Sequence, residues 1–136
     1  LTEEQIGQMC SSNKVEFLGN ISDLKDILAE SHIFILPSYY AEGIPKVLLE
    51  AAASGCAVIT TDHPGCRDAI IPGKTGMLIP PREISSLINA IVNMVSDRDL
   101  IESMGEAGRL MAEQKFCVSK IIDNHYSLYK TFNKDK

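Results

Sequence analysis

The sequence predicts an α/β protein whose parallel sheet is flanked by helices. Two continuous apolar runs, Ile33–Leu36 and Ala57–Thr61, have the length of strands that are buried on both faces, which is typical of parallel sheets. Apolar residues at helical spacing occupy the segments before, between and after these runs. Because strands alternate with helices, the chain favours the crossover connections of a parallel sheet.

Capping and turn residues set the boundaries of the predicted elements. Thr2 precedes two acidic residues and suits the N-cap of a first helix, and Ser22 suits the N-cap of a second. The predicted strands are 15–18, 33–36, 57–61 and 77–79. The predicted helices are 2–10, 22–31, 45–54, 83–95, 97–115 and 119–132, and a turn at 63–67 leaves room for a short helix at 68–71. The helix at 83–95 is expected to face the core with Leu87, Ile88, Ile91, Val92 and Val95.

Composition and charge describe one globular domain without a nucleic-acid or membrane surface. The 136 residues carry a net charge of −5 and contain no basic run, which excludes nucleic acid and anionic membranes as partners of this piece. No apolar stretch approaches the roughly 18 residues of a transmembrane helix, and no signal peptide is present. The four cysteines are scattered without a C-x-x-C pair. They indicate free thiols in a reducing, cytoplasmic compartment, and their spacing matches no common metal site.

The most informative stretch is the predicted helix between Pro45 and Gly55. Pro45 suits its first position, and Gly55 suits the left-handed residue just past its end. The helix is apolar on nearly every side, which indicates burial, yet Glu50 lies near its centre. That carboxylate either forms a buried ion pair, for which Lys46 one turn earlier is the candidate, or contacts a ligand.

The start of this helix is suited to an anion. The amides of Lys46, Val47 and Leu48 lack partners within the helix and lie at its positive end, where a phosphate is favoured. Glu42 lies just before that turn, and Glu50 lies about 7 Å further along the axis. Two carboxylates that flank an anion site suit a molecule with hydroxyl groups at both ends and phosphates between them. A nucleotide sugar is such a molecule.

Glu42 and Glu50, with seven residues between them, resemble the E-x7-E signature of retaining glycosyltransferases of family four, also described as glycosyl transferases group 1. The resemblance runs from about residue 15 to residue 129. The sequence segments that follow the motif occur in the same order as in the family's C-terminal, donor-binding domain. It implies the GT-B fold, in which two Rossmann-like domains enclose the active site. Residues 1–136 would then form a single, partial nucleotide-sugar-binding domain from the C-terminal half of such an enzyme.

The resemblance also implies roles for individual residues. Glu42 would be the catalytic carboxylate, in contact with a hydroxyl of the donor sugar near the anomeric carbon, and Glu50 would bind the ribose hydroxyls. Main-chain amides at the helix entry would meet the diphosphate and the sugar, while the turn after the predicted strand at 15–18 would begin the base pocket. The implied donor-binding residues besides Glu50 are Gly43, Ile44, Lys46, Gly19, Asn20 and Ile21.

Several parts of the family's pattern would precede residue 15 and are not found in this sequence. They are the N-terminal acceptor domain, two strand–helix units and the Arg/Lys pair that clamps the donor diphosphate. The chain is therefore expected to be truncated at its N-terminus and inactive alone. Without two strands the sheet would contain a gap, which leaves three alternatives: the strand at 15–18 docks elsewhere, another segment fills the gap, or the piece folds poorly.

The implied function is transfer of a sugar, with retention at the anomeric carbon, from a nucleoside-diphosphate sugar to a glycan or lipid-linked acceptor in bacterial surface polysaccharide synthesis. A UDP-sugar is the expected donor, the acceptor would bind through the missing domain, and neither a cofactor nor a metal is expected. The full-length protein is expected in the cytoplasm, where it could be peripheral to the inner membrane face. The alternative is a non-catalytic nucleotide-sugar-binding or interaction module that needs a partner domain. A GT-B epimerase of nucleotide sugars is disfavoured by the residues that flank Glu42 and Glu50.

Overall fold

The computed structural model describes residues 2–12, 14–40 and 43–132. Its sheet contains three parallel strands in the order β1 (Ile33–Leu36), β2 (Ala57–Thr61) and β3 (Gly76–Ile79). The register pairs Ile33 with Ala57 across the first interface and Val58 with Gly76 across the second. The predicted α/β, Rossmann-like class is confirmed.

Helices precede, connect and follow the strands. Before the sheet lie α1 (Glu3–Cys10) and α2 (Lys25–Glu30), and its two crossovers contain α3 (Lys46–Ala53) and α4 (Pro64–Asp68). After the last strand come α5 (Ile84–Val95), α6 (Arg98–Lys115) and α7 (Val118–Phe132). Among the described residues, no helix combines the length and the apolar character needed to cross a bilayer.

The core lies on both faces of β2, whose five residues are all buried. Val58 belongs to a cluster on the face covered by α2, α3 and α4, while Ala57 and Ile59 belong to a cluster on the face covered by α5 and α6. Burying a side chain such as Leu48 or Ile59 contributes about 1.5–3 kcal/mol relative to its exposure to water. The central strand is therefore the best-anchored element and fixes where the strand ends meet.

Helix α6 packs against the turn that ends α3. A side chain at Gly105 would overlap with the backbone carbonyl oxygen of Gly55, whereas a Cβ at Gly108 would be in ordinary contact with Ala52 at 3.8 Å. Gly55 has a φ of 85°, as predicted for the residue just past the helix, and Ser54 is the C-cap. The absence of a side chain at Gly105 thus allows α6 to lie directly on the end of α3.

Helix α3 agrees closely with its prediction, although it is less buried than expected. Pro45 is the N-cap rather than the first helical residue, so the helix begins one position later than predicted. Its buried residues are Leu48, Ala51 and Ala52, and Ala53 is exposed. The helix therefore has one apolar face towards the core and one face, which carries Glu50, towards an open cleft.

The predicted strand at 15–18 is wrong. These residues form no β-pairing, and Val15, Phe17 and Leu18 are exposed. A strand requires a neighbour for its backbone hydrogen bonds. Within the described part of the chain, no strand lies along the outer edge of β1, whose Ile35 is also 37% exposed. The expectation that β1 is buried on both faces is also wrong, since none of its four residues is fully buried.

Three further boundaries or faces differ from prediction. The short helix is α4 rather than 68–71, because Pro64 suits a first helical position and His63 before it is extended. Helix α2 begins at Lys25, whose amide donates to Asp23 Oδ1 at 3.0 Å, so Ser22 is not its cap. Helix α5 buries Ala90 and Met94. It leaves four larger apolar residues more than half exposed, namely Ile84, Ile88, Val92 and Val95.

Candidate functional site

A cleft of about 520 Å³ lies between α3 and the segment that leads into α2. Polar side chains from both walls enter it, including Lys46 and Glu50 from α3 and Asp23 and Lys25 from the facing segment. The cleft runs along α3 from its first residue, Lys46, to its C-cap, Ser54. Only its end at Lys46 lies towards the carboxyl edge of the sheet, where open α/β sheets bind ligands. Its remaining lining residues are Ile21, Ser22, Leu24, Leu28, Ala53 and Ser54.

Glu50 and Lys46 form an ion pair on the exposed face of α3. Lys46 Nζ lies 2.9 Å from Glu50 Oε1, with the two residues one helical turn apart. The Lys46 side chain is 88% exposed and that of Glu50 is 42% exposed. Lys46 is thus the partner of Glu50, as the first alternative expects, but the pair is not buried. The carboxylate is accessible from the cleft, and its contact with a ligand stays a prediction.

The ion pair keeps Lys46 charged. A hydrogen bond from its ammonium to Glu50, together with the negative charge of that carboxylate, raises the pKa of Lys46 above its ordinary value. The cleft therefore holds one paired ammonium from α3 beside Lys25 from α2. An anion that enters meets two lysines and the positive end of α3. The expectation that the Leu48 amide lacks a partner is wrong, because this amide donates to the Pro45 carbonyl at 3.0 Å.

The facing wall is fixed by backbone turns at the start of α2. Asp23 accepts from the Lys25 amide, and the Leu28 amide donates to the Leu24 carbonyl at 2.8 Å. Leu28 is 3% exposed and anchors this wall in the core. Sequence reasoning missed Ser22, Asp23 and Lys25 as lining residues. An Asp two positions before a helical Lys is a turn signal that could have indicated the wall.

The predicted donor-site residues are only partly gathered in this cleft. Ile21, Lys46 and Glu50 line it together. Four others lie outside its lining, namely Gly19, Asn20, Gly43 and Ile44. Gly19 has a φ of 69°, so the turn after residue 18 needs its conformational freedom. Glu42, the predicted catalytic carboxylate, lies outside the described residues.

Two buried threonines of β2 hydrogen-bond to the backbone at the end of β1, where the chain enters the loop that contains Glu42 in sequence. Thr60 Oγ1 donates to the Leu36 carbonyl at 2.9 Å, and Thr61 Oγ1 donates to the Ser38 carbonyl. Both side chains are at most 1% exposed. Beyond them, the Tyr39 ring stacks on Tyr40 and lies beneath the Arg82 guanidinium, 4.7 Å from the ring centroid. The loop between β1 and α3 therefore leaves the sheet from a fixed point.

The described part of the chain contains no cluster of metal-binding side chains. Among residues 2–12, 14–40 and 43–132, no three His, Cys, Asp or Glu side chains converge on a point that could hold a metal ion. Cys56 and Cys66 are buried free thiols, while Cys10 and Cys117 are partly exposed. The cleft's polar groups are lysines and carboxylates, which suit an anion and hydroxyl groups.

The sequence also matches a known family. The sequence model described as "Glycosyl transferases group 1" matches residues 2–111, which is most of the chain. The chain belongs to the family of glycosyl transferases group 1. The resemblance carried by Glu42, Glu50 and their flanks is thereby confirmed at the level of the family.

Two curated relatives of this group 1 glycosyl transferase chain are a capsular polysaccharide glycosyltransferase and a galactosyltransferase. The capsular polysaccharide biosynthesis glycosyltransferase CapM of Staphylococcus aureus is 30% identical over 89% of the chain, which spans 32% of that protein. The UDP-Gal:alpha-D-GlcNAc-diphosphoundecaprenol alpha-1,3-galactosyltransferase of Escherichia coli is 32% identical over 82% of the chain, which spans 28% of that protein. The chain thus spans a third or less of the length of either relative.

A solved structure shares the fold. The sucrose-phosphate synthase of Thermosynechococcus elongatus matches 98% of the chain and 34% of its own chain, with a TM-score of 0.84 and 29% identity. The parallel sheet and the flanking helices of this group 1 glycosyl transferase chain therefore have the arrangement seen in that synthase.

Proposed function

We propose that the chain is the donor-binding domain of a retaining glycosyltransferase that takes a sugar from a UDP-sugar and passes it to a glycan or lipid-linked acceptor of bacterial surface polysaccharide. One observation carries the proposal: Glu50 presents an accessible carboxylate to a cleft that also contains Lys46 and borders the start of α3. Carboxylate oxygens accept from paired ribose hydroxyls, and a helix N-terminus favours the phosphates next to them.

The relatives support the donor and the acceptor class. The name of the Escherichia coli relative states a UDP-linked galactose donor and a diphosphoundecaprenol-linked acceptor, and that of the Staphylococcus aureus relative states capsular polysaccharide. Both are about 30% identical to this chain. The acceptor would bind to a further domain of the whole protein, and the reaction would take place in the cytoplasm.

The proposed roles follow the order of groups along the donor. The base would lie against Ile21 and the start of α2, the ribose hydroxyls would donate to Glu50, and the diphosphate would lie at the first turn of α3. Glu42 would contact the transferred sugar. The leaving diphosphate would be stabilised by helix amides and lysines rather than by a metal. Without the acceptor domain, the isolated chain would bind the donor and not turn it over.

An NMR titration of the ¹⁵N-labelled chain with UDP, GDP and ADP tests the donor site. We expect UDP to shift the amide signals of residues 21–25 and 46–50 and to bind about tenfold more weakly to Glu50→Ala, because a charge-assisted hydrogen bond is lost. Glu102→Ala is the matched control, since Glu102 is also an exposed helical carboxylate paired with a cation one turn away. Equal affinity of UDP for the wild type and Glu50→Ala would contradict the assignment.

The two carboxylates are expected to differ in what they recognise. Glu50→Ala should weaken free UDP and the UDP-sugar alike, since both contain the ribose. Glu42→Ala should weaken binding of the UDP-sugar and leave the affinity for free UDP unchanged. If Glu42→Ala alone abolished binding of free UDP, the two roles would have to be exchanged. Hydrolysis of the donor by the isolated chain would contradict the expectation that it binds without turnover.

A further inference from the structure

The ion pair between Lys46 and Glu50 occupies the group that the ribose needs. Lys46 Nζ donates to Glu50 Oε1 at 2.9 Å, so in the free chain one of the two carboxylate oxygens already has a charged donor. A ribose diol uses both oxygens of a carboxylate when its two hydroxyls donate together. Each carboxylate oxygen can accept two hydrogen bonds, but an oxygen that already accepts from an ammonium is a weaker acceptor for a hydroxyl. The ion pair and the ribose therefore compete for the acceptor strength of Glu50 Oε1.

We propose that Lys46 exchanges partners when a nucleoside diphosphate binds: it leaves Glu50, which takes the ribose hydroxyls, and pairs with the diphosphate at the first turn of α3. This inference rests on the donor-binding function proposed above and adds a second task for Lys46. The exchange requires movement of one side chain only, because Lys46 is the first residue of α3 and Glu50 lies one turn further on.

The exposure of the two partners favours the exchange. The Lys46 side chain is 88% exposed, so neither packing nor burial holds its four-carbon stem in the present rotamer. An exposed ion pair between helical neighbours is among the weaker interactions in proteins. A diphosphate carries more charge than a carboxylate and would lie where the helix amides also favour an anion. Lys46 therefore has a stronger partner available once the nucleotide is bound.

The four charged residues of the cleft lining sum to zero in the free chain, so a bound diphosphate adds negative charge that Lys46 can offset only by leaving Glu50. Asp23 and Glu50 are the acidic residues of its lining, and Lys25 and Lys46 are the basic ones. In the free chain, Glu50 compensates the charge of Lys46, which lines the same cleft as Lys25. After the exchange, the diphosphate neutralises Lys46, and the ribose hydroxyls replace it at Glu50. No carboxylate in the cleft is left without a donor in either state.

The exchange predicts opposite effects of one substitution on two ligands. Lys46→Met removes the competitor for Glu50, so uridine, which has no phosphate, should bind about twofold more tightly. The same substitution removes a cation from the diphosphate, so UDP should bind about tenfold more weakly. A residue that only supports the fold would weaken both ligands together. The sign of the effect on uridine is therefore the decisive readout.

The experiment is an NMR titration of the wild type, Lys46→Met and Lys46→Arg with uridine, UMP and UDP. Lys46→Arg should restore UDP binding. Since the ribose displaces Lys46 from Glu50, the Lys46 ammonium signal of the wild type should move on addition of uridine, and it should move further on addition of UDP, which also supplies the diphosphate. Arg98→Gln is the matched control, because Arg98 forms the same type of exposed pair with Glu102 at 3.0 Å. Amide spectra of each variant report whether it is folded, which is expected since the Lys46 side chain is exposed and Met suits a helix.

The outcomes separate this inference from the function on which it rests. If UDP binds to the wild type in the cleft but Lys46→Met weakens uridine and UDP equally, or changes neither, the exchange is wrong and the donor site remains. If neither uridine nor UDP shifts the signals of residues 21–25 and 46–50 in the wild type, the donor site itself is wrong and the exchange fails with it.

Discussion

At the scale of single residues, replacing either of two glycines of α6 with alanine is expected to change stability in opposite directions. Gly105 lies against the Gly55 carbonyl with no room for a side chain, whereas a Cβ at Gly108 would meet Ala52 at an ordinary 3.8 Å. Gly105→Ala must push α6 away from the end of α3, which we expect to lower the free energy of unfolding by about 1–3 kcal/mol. Urea denaturation followed by circular dichroism measures this change.

Gly108→Ala is the matched control on the same helix. Replacing a helical glycine with alanine raises stability by about 0.5–1 kcal/mol where the new methyl group fits. The two substitutions are therefore expected to have opposite signs, although both replace glycine with alanine within one turn of α6. If both were stabilising, the close approach of α6 to Gly55 would be wrong.

The cysteines make a second residue-scale prediction. Ser119 and the amides at the start of α7 hydrogen-bond to Cys117 and lower the pKa of its thiol, whereas burial raises the pKa of Cys56. Cys117 should therefore be the first cysteine to react with iodoacetamide near neutral pH, and Cys56 should react only on unfolding. Mass spectrometry of peptides after timed quenching reports the order. Faster labelling of Cys56 than of Cys117 in the native chain would contradict it.

The raised pKa of Cys56 also implies a dependence of stability on pH. The folded chain holds this proton more tightly than the unfolded chain does. The resulting contribution to stability is fully present below the ordinary pKa of a thiol and declines as the pH rises above it. Cys56→Ala should therefore show a shallower loss of stability than the wild type in denaturation series carried out at increasingly alkaline pH.

At the scale of elements, the helices differ in how their first turns are capped. Asp97 Oδ1 accepts from the Leu100 amide at 3.0 Å at the start of α6, while Glu83, the N-cap of α5, makes no side-chain bond to the helix amides. Asp97→Ala should cost about 1 kcal/mol in thermal or urea denaturation. Glu83→Ala, the matched control, should cost much less. Equal costs at the two positions would show that the cap of α6 contributes nothing.

Local signals predicted most of these elements because they depend on neighbouring residues alone. Thr2 is the N-cap of α1, as predicted, with Gln5 completing a capping box that was not predicted, and Gly55 has the positive φ expected past α3. The strand at 15–18 was wrong because a strand depends on a partner that its own sequence does not specify. The burial of α5 was misjudged because apolar periodicity does not state which part of an apolar surface meets the sheet.

The candidate site was predictable to a similar extent. Glu50, Lys46 and Ile21 were predicted and meet in one cleft, since the position of α3 after β1 follows from the alternation of strands and helices. Asp23 and Lys25 were missed because their place on the facing wall depends on how α2 packs against α3. Gly19 and Asn20 lie outside the lining because the turn that holds them does not follow a paired strand. The roles of all these residues remain predictions.

At the scale of the whole molecule, stability should be concentrated in the sheet and in α3, α5 and α6. Every residue of α7 from Val118 to Lys130 is exposed, whereas β2 is fully buried. A chain that ends at Cys117 should therefore keep its free energy of unfolding within about 0.5 kcal/mol of the original value. Urea denaturation of the shortened chain measures this quantity. A clear loss would mean that α7 packs on the domain.

The outer edge of β1 has a consequence for how the chain behaves in a test tube. Its backbone donors and acceptors face away from β2, and among the described residues no strand covers them. Such an edge is a template for the same edge of another molecule, and encounters of this kind rise with the square of protein concentration. Association through the four residues of β1, Ile33–Leu36, would thus limit how long a sample can be stored. It would also limit the protein concentration at which titrations remain interpretable.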